Sequence, residues 1–128
     1  MNSSFLAGAA VDSIMPAPEM VDNALHPPMA VRLDEQGSPL RVKVLALSFG
    51  ASHLMLVNLD LAAADVVKSN AIREAVAEST GVPIANIVVA CTHSHSTPFL
   101  EPLDGPRPYF DFVCQQCVKT SVKAWQNR

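Results

Sequence analysis

The chain has 128 residues, of which 49% are hydrophobic and 16% charged, with a formal net charge of −3. This is a globular mix, far from the polar, charged composition of disorder, and it fits one domain able to bury most of its apolar surface. With no Lys/Arg run anywhere, it excludes a nucleic-acid footprint and gives no electrostatic reason to expect an anionic membrane surface as partner.

The first third is rich in loop signals, with Met15-Pro16-Ala17-Pro18 and His26-Pro27-Pro28 forbidding long regular elements. Residues 5–11 are apolar and read as one short strand. They do not read as a signal peptide, because no Lys or Arg precedes them and Asp12 cuts them short. No stretch approaches the roughly 20 apolar residues of a membrane span. The chain as given is therefore expected to be soluble and not exported, which favours the cytoplasm. Three cysteines in a chain of this size read as reduced thiols.

Leu40-Arg41-Val42-Lys43-Val44-Leu45-Ala46-Leu47 alternates charged and apolar residues, as a half-buried strand does. Gly50-Ala51 marks a turn, and residues 53–59 read as a more fully buried strand, completing a β-hairpin. A helix is predicted over residues 62–79, with Val67, Ile72, Ala75, Val76 and Ser79 on one face, Gly81 stopping it and Pro83 preventing its continuation. Residues 86–91 form a continuous apolar run of strand length. Strand, helix, strand in this order predicts a parallel βαβ unit with a right-handed crossover. A loop with Pro98, Pro102, Pro106 and Pro108 leads to a last amphipathic helix, with Phe110, Val113, Cys114, Cys117, Ser121, Val122 and Trp125 on one face. The fold class is α/β, and residues 1–128 read as a single βαβ-containing first part of a larger mixed-sheet domain.

The most informative feature is Thr92-His93-Ser94-His95-Ser96. Residues i and i+2 of a strand face the same side, so His93 and His95 can point at one spot. They stand at the carboxyl end of a parallel strand, outside which open α/β sheets bind ligands. Neutral imidazole is the usual nitrogen ligand of zinc, and the small hydroxyls beside it suit a substrate-polarising group. Two nearby His in a loop are equally compatible with solvated surface residues. Asp60, at the end of the other parallel strand, reads either as a second-shell partner of a liganding imidazole or as the N-cap of the following helix. Cys114-Gln115-Gln116-Cys117 falls in mid-helix on the apolar stripe, so both thiols read as buried and structural, not as a redox pair at a helix N-terminus. Cys91 reads as a buried strand residue. His26 and His53 read as surface residues, while Arg107 and Tyr109 lie near enough to the loop in sequence to approach a substrate, Arg107 being electrostatically unfavourable at a helix start.

Taken together, several segments resemble the N-terminal region of the neutral/alkaline, non-lysosomal ceramidase family. They are Leu6-Ala7-Gly8-Ala9-Ala10-Val11-Asp12, the apolar strand ending at Leu59-Asp60, Glu78-Ser79-Thr80-Gly81-Val82-Pro83, Asn86-Ile87-Val88-Val89, and Thr92-His93-Ser94-His95-Ser96-Thr97-Pro98. The family typically reads Thr-His-Thr-His-Ser-Gly-Pro at the last of these. The resemblance implies a zinc-dependent amidohydrolase that frees a fatty acid from ceramide or a related amide, with His93 as a zinc ligand and His95 beside the metal, binding substrate or stabilising the tetrahedral intermediate. The family is often secreted or membrane-associated.

Two departures follow. Thr97 stands where the family prefers Gly, which bears on the loop backbone and on substrate access. The family also completes its zinc site with another His, a Glu and a Tyr from later in a much longer chain, so this polypeptide alone is expected to be inactive unless another chain or a missing C-terminal portion supplies ligands. The rival readings are a non-catalytic, truncated relative that binds a partner or itself through an unfinished sheet edge, and a small thiol-redox protein using Cys114 and Cys117.

Overall fold

The structure, a computed structural model, describes residues 4–20 and 38–128; His26 lies outside them. Four strands form one mixed sheet in the order β1 (Phe5–Ser13), β2 (Arg41–Phe49), β3 (Ser52–Leu59), β4 (Ile87–Cys91). The first three are antiparallel neighbours, and β4 runs parallel to β3. Helix α1 (Val66–Thr80) links β3 to β4, and α2 (Pro108–Gln126) follows β4. The hairpin and the βαβ order read from the sequence are both present. Gly50 takes φ +59° at the first of the two turn residues joining β2 to β3, where a type II′ hairpin turn calls for glycine.

Both helices pack against the same face of the sheet. Val42, Val44 and Ala46 of β2 and Met55, Val57 and Leu59 of β3 form the floor of the core, under Ile72 and Val76 of α1 and Val113, Cys117 and Ala124 of α2. β3 is therefore less fully buried than its apolar run predicts. It alternates, with Leu54 exposed on the other face. Gly8 of β1 lies under the end of α2, where a Cβ would stand 2.1 Å from the Ala124 carbonyl oxygen. Only a residue without a side chain lets the helix sit that close.

The α1 boundary differs from the expectation. Asp65 caps the helix, its carboxylate accepting the Lys68 amide at 2.9 Å, while Gly81 ends it at φ +78°. The helix starts four residues later than predicted, and Val67, about 140° round it from Ile72, is exposed rather than on the packed face.

Candidate functional site

β3 and β4 end side by side, and the chain leaving each builds the site. The parallel ladder continues one step past β4, with the Thr92 amide donating to the Leu59 carbonyl at 2.9 Å and the His93 amide to the Leu61 carbonyl at 3.0 Å. His93 then takes φ +63°, the left-handed region that a non-glycine side chain seldom enters. This turn ends the strand before the first histidine. The extended i, i+2 geometry therefore does not bring the two rings together.

A folded loop does. The His93 and His95 Nε2 atoms lie 3.1 Å apart, the rings nearly perpendicular with centroids at 4.5 Å, and both side chains are exposed. The His93 Nδ1 atom is 2.8 Å from the Ala62 carbonyl oxygen. A carbonyl only accepts, so Nδ1 carries the proton and the Nε2 lone pair is left facing outward. His95 then donates its Nε2–H to that lone pair.

Asp60 takes neither role read for it in the sequence. Its carboxylate accepts the Arg41 amide at 3.0 Å and faces Lys43 Nζ at 3.5 Å, tying the end of β3 to the start of β2. The helix cap is Asp65, and the acceptor that orients His93 is the Ala62 carbonyl, a backbone group with no signature in the side-chain pattern. Thr97, marked in the sequence only as a departure from Gly, is 3% exposed, and its Oγ1 accepts the Ala62 amide and donates to the Ser94 carbonyl, each at 3.2 Å.

Other residues weighed in the sequence fall elsewhere. Tyr109 is fully buried and its hydroxyl donates to the Ile14 carbonyl at 2.8 Å, so it is core rather than substrate-facing. Arg107 pairs with Asp111 one turn on, at 3.2 Å, and donates to the Leu103 carbonyl, which offsets its position at the helix start. His53 is half-buried against Trp125, with Nδ1 3.0 Å from Ser48 Oγ, and is not a free surface residue. Burial pushes the thiols of Cys91, Cys114 and Cys117 up, the opposite of what a redox thiol needs. A shallow groove of about 600 Å³ between α1 and α2, lined by Ala71, Ala75, Phe110, Cys114 and Val118 among others, does not include the histidine pair.

Two nitrogens about 2.0–2.1 Å from one tetrahedral zinc lie roughly 3.3–3.4 Å apart. The observed 3.1 Å is close to that spacing, but both nitrogens can face a metal only when His95 carries its proton on Nδ1, in place of the Nε2–H···Nε2 hydrogen bond. Among the described residues no group of three or more His, Cys, Asp or Glu comes together to complete a metal site.

No family model and no curated protein matches the sequence. Solved structures do. Neutral ceramidase from Pseudomonas aeruginosa superposes with a TM-score of 0.68 at 17% identity, over 99% of this chain and 22% of its own. The chain has the fold of a segment of neutral ceramidase. A second structure, a ceramidase complexed with C2, superposes with a TM-score of 0.67 at 18% identity, over 98% of this chain and 22% of its own. The chain thus spans about a fifth of the length of the ceramidases it matches, and the α/β class read from the sequence belongs to a part of their larger architecture. At these identities the likeness concerns the fold.

Proposed function

We propose that the chain supplies one edge of a zinc-dependent amidohydrolase site of the neutral ceramidase type, which hydrolyses the N-acyl amide of ceramide or a related amide. The observation that carries this reading is the convergence of His93 and His95 Nε2 at 3.1 Å, outside the carboxyl ends of two parallel strands, in a fold shared with neutral ceramidase. His93 would hold the metal. Its Nδ1–H is fixed on the Ala62 carbonyl, which locks the tautomer and presents the Nε2 lone pair. Zinc, when bound, would supply Lewis-acid activation of water and of the amide carbonyl.

His95 keeps a donor beside that position. Its Nε2–H is a hydrogen-bond donor for the oxygen on which charge develops when the carbonyl is attacked. Water adds to the carbonyl carbon, the C–N bond breaks, and the amine leaves with a proton, giving a fatty acid and a sphingoid-type amine. Among the described residues, one or at most two histidine ligands are fewer than the three protein ligands typical of a catalytic zinc site. The 128 residues are therefore inactive alone, and the remaining ligands come from further chain or from a partner.

Zinc content by elemental analysis of the chain and of His93→Ala, after dialysis without chelator, tests the reading. Zinc near one per chain or per oligomer, lost in His93→Ala, supports it and calls for amidase assays on a short-chain ceramide. A folded chain without zinc rejects metal binding by these residues on their own. A second reading, a non-catalytic assembly module, is favoured by the exposed apolar face of the sheet, where Phe5, Val11, Phe49 and Val88 are all about half exposed or more. Self-association that is independent of zinc supports it.

A further inference from the structure

We infer that Thr97 is the positioning residue of the histidine pair: its buried hydroxyl holds the Leu61–Ala62 peptide group in the orientation that aims both imidazoles at one point. The inference rests on the reading of His93 and His95 as the metal-facing pair and adds the residue that sets their geometry.

One peptide group is held from both ends of the loop. The Leu61 carbonyl accepts the His93 amide at 3.0 Å where the loop begins, and the Ala62 amide donates to Thr97 Oγ1 at 3.2 Å where it closes. The next carbonyl, that of Ala62, accepts His93 Nδ1–H at 2.8 Å. Rotation about this segment would move the acceptor that fixes the His93 ring. Thr97 also donates to the Ser94 carbonyl at 3.2 Å, inside the turn that carries His95 back to His93. Its one hydroxyl proton and a lone pair are both used, and at 3% exposure water does not reach the site to replace them.

The held segment is also the strained one. His93 at φ +63° is in a backbone region that a non-glycine residue keeps only where its surroundings hold it there. The hydrogen bonds around Ala62 are those surroundings. Without the Thr97 hydroxyl, the half-buried Ala62 amide loses its partner, and the loop is released to relax towards ordinary backbone angles.

Thr97→Val removes the hydroxyl and keeps the branched shape; Thr97→Ser keeps the hydroxyl. Each is compared with the unaltered chain by amide hydrogen exchange at Ala62 and by the ring-nitrogen NMR signals of His93. In Thr97→Val, exchange at Ala62 is expected to quicken about fivefold or more, the worth of one hydrogen bond. His93 is expected to change from a single Nδ1–H tautomer to an average of two. Thr97→Ser is expected to restore both signals, which a purely structural defect would not do. Zinc added to the three proteins is expected to bind about 10–100-fold more weakly to Thr97→Val. An unchanged His93 tautomer in Thr97→Val overturns the inference. Ring signals that respond while none of the three proteins binds zinc leave Thr97 its positioning role and remove the metal reading. Zinc bound equally by all three, with unmoved ring signals, does the reverse.

Discussion

At the scale of single residues, the site depends on groups that act through backbone atoms. The His93 ring is oriented by a carbonyl, that carbonyl's residue is held by Thr97, and the start of α2 is held by Glu101, which is 2% exposed. The Glu101 carboxylate accepts the Tyr109 and Phe110 amides at 2.9 and 2.7 Å, two of the free donors at the helix N-terminus, where a negative charge also meets the positive end of the helix dipole. Arg107, the residue at the cap position, makes no side-chain cap. Glu101→Ala is therefore expected to destabilise the fold by about 1–3 kcal/mol, the cost of leaving buried donors unpaired. Urea unfolding checks it, and Glu101→Gln, which keeps an acceptor, is expected to lose less. The sequence makes His93 and His95 legible because a His-x-His pair is a side-chain pattern. Ala62 and Glu101 are not legible in it, and Thr97 stands out only as a departure from Gly, without its hydrogen bonds. Their partners lie 31, 35 and 8 residues away in sequence, and no local spacing rule connects them.

At the scale of elements, hydrophobic periodicity places each strand within a few residues and misplaces one helix end. Alanines 62–64 favour a helix, but propensity is a weak preference. Here Asp65 caps while Ala62 serves the loop. The joining of β1 to α2 carries an electrostatic consequence that the pattern does not reveal. Asp12 faces Lys123 at 2.9 Å, Thr120 at 2.7 Å and Lys119 at 3.8 Å. Burial raises its carboxyl pKa, but the hydrogen bonds from Lys123 and Thr120 and the charges of Lys123 and Lys119 outweigh this and leave it below the ordinary range. A carboxyl with a depressed folded-state pKa binds protons less readily than in the unfolded chain, so its contribution is present above the unfolded pKa of about 3.9. It is lost as pH falls through the folded value. The melting temperature of the unaltered chain is expected to exceed that of Asp12→Asn at pH 7, with the difference closing below about pH 4. A difference that stays constant from pH 7 to pH 3 would exclude this account of how β1 is tied to α2.

At the scale of the whole molecule, the sequence shows a sheet with more apolar surface than two helices can cover. Both helices lie on one face. The other presents Phe5, Ala7, Ala9 and Val11 of β1, Leu45, Leu47 and Phe49 of β2, Leu54 and Leu56 of β3, and Val88 of β4, as the strand register dictates. Lys43 and Asn58 are among the few polar side chains there. This is why residues 53–59 read as more fully buried than they are: the composition is that of a strand in a layered α/β domain, and the chain spans only 22% of the ceramidases whose fold it shares. Contiguous apolar surface of this kind is unusual on a soluble monomer. The chain is expected to bind a hydrophobic dye while folded and to sediment with increasing mass as its concentration rises. Leu45→Lys combined with Leu54→Lys places two charges on that face. Leu45 is 37% and Leu54 38% exposed, so neither change opens the core. The double variant is expected to lose most of the dye signal and to sediment as a monomer with its melting temperature little changed. Undiminished association would move the adhesive surface to the edges of β1 or β4, which pair with no further strand among the described residues.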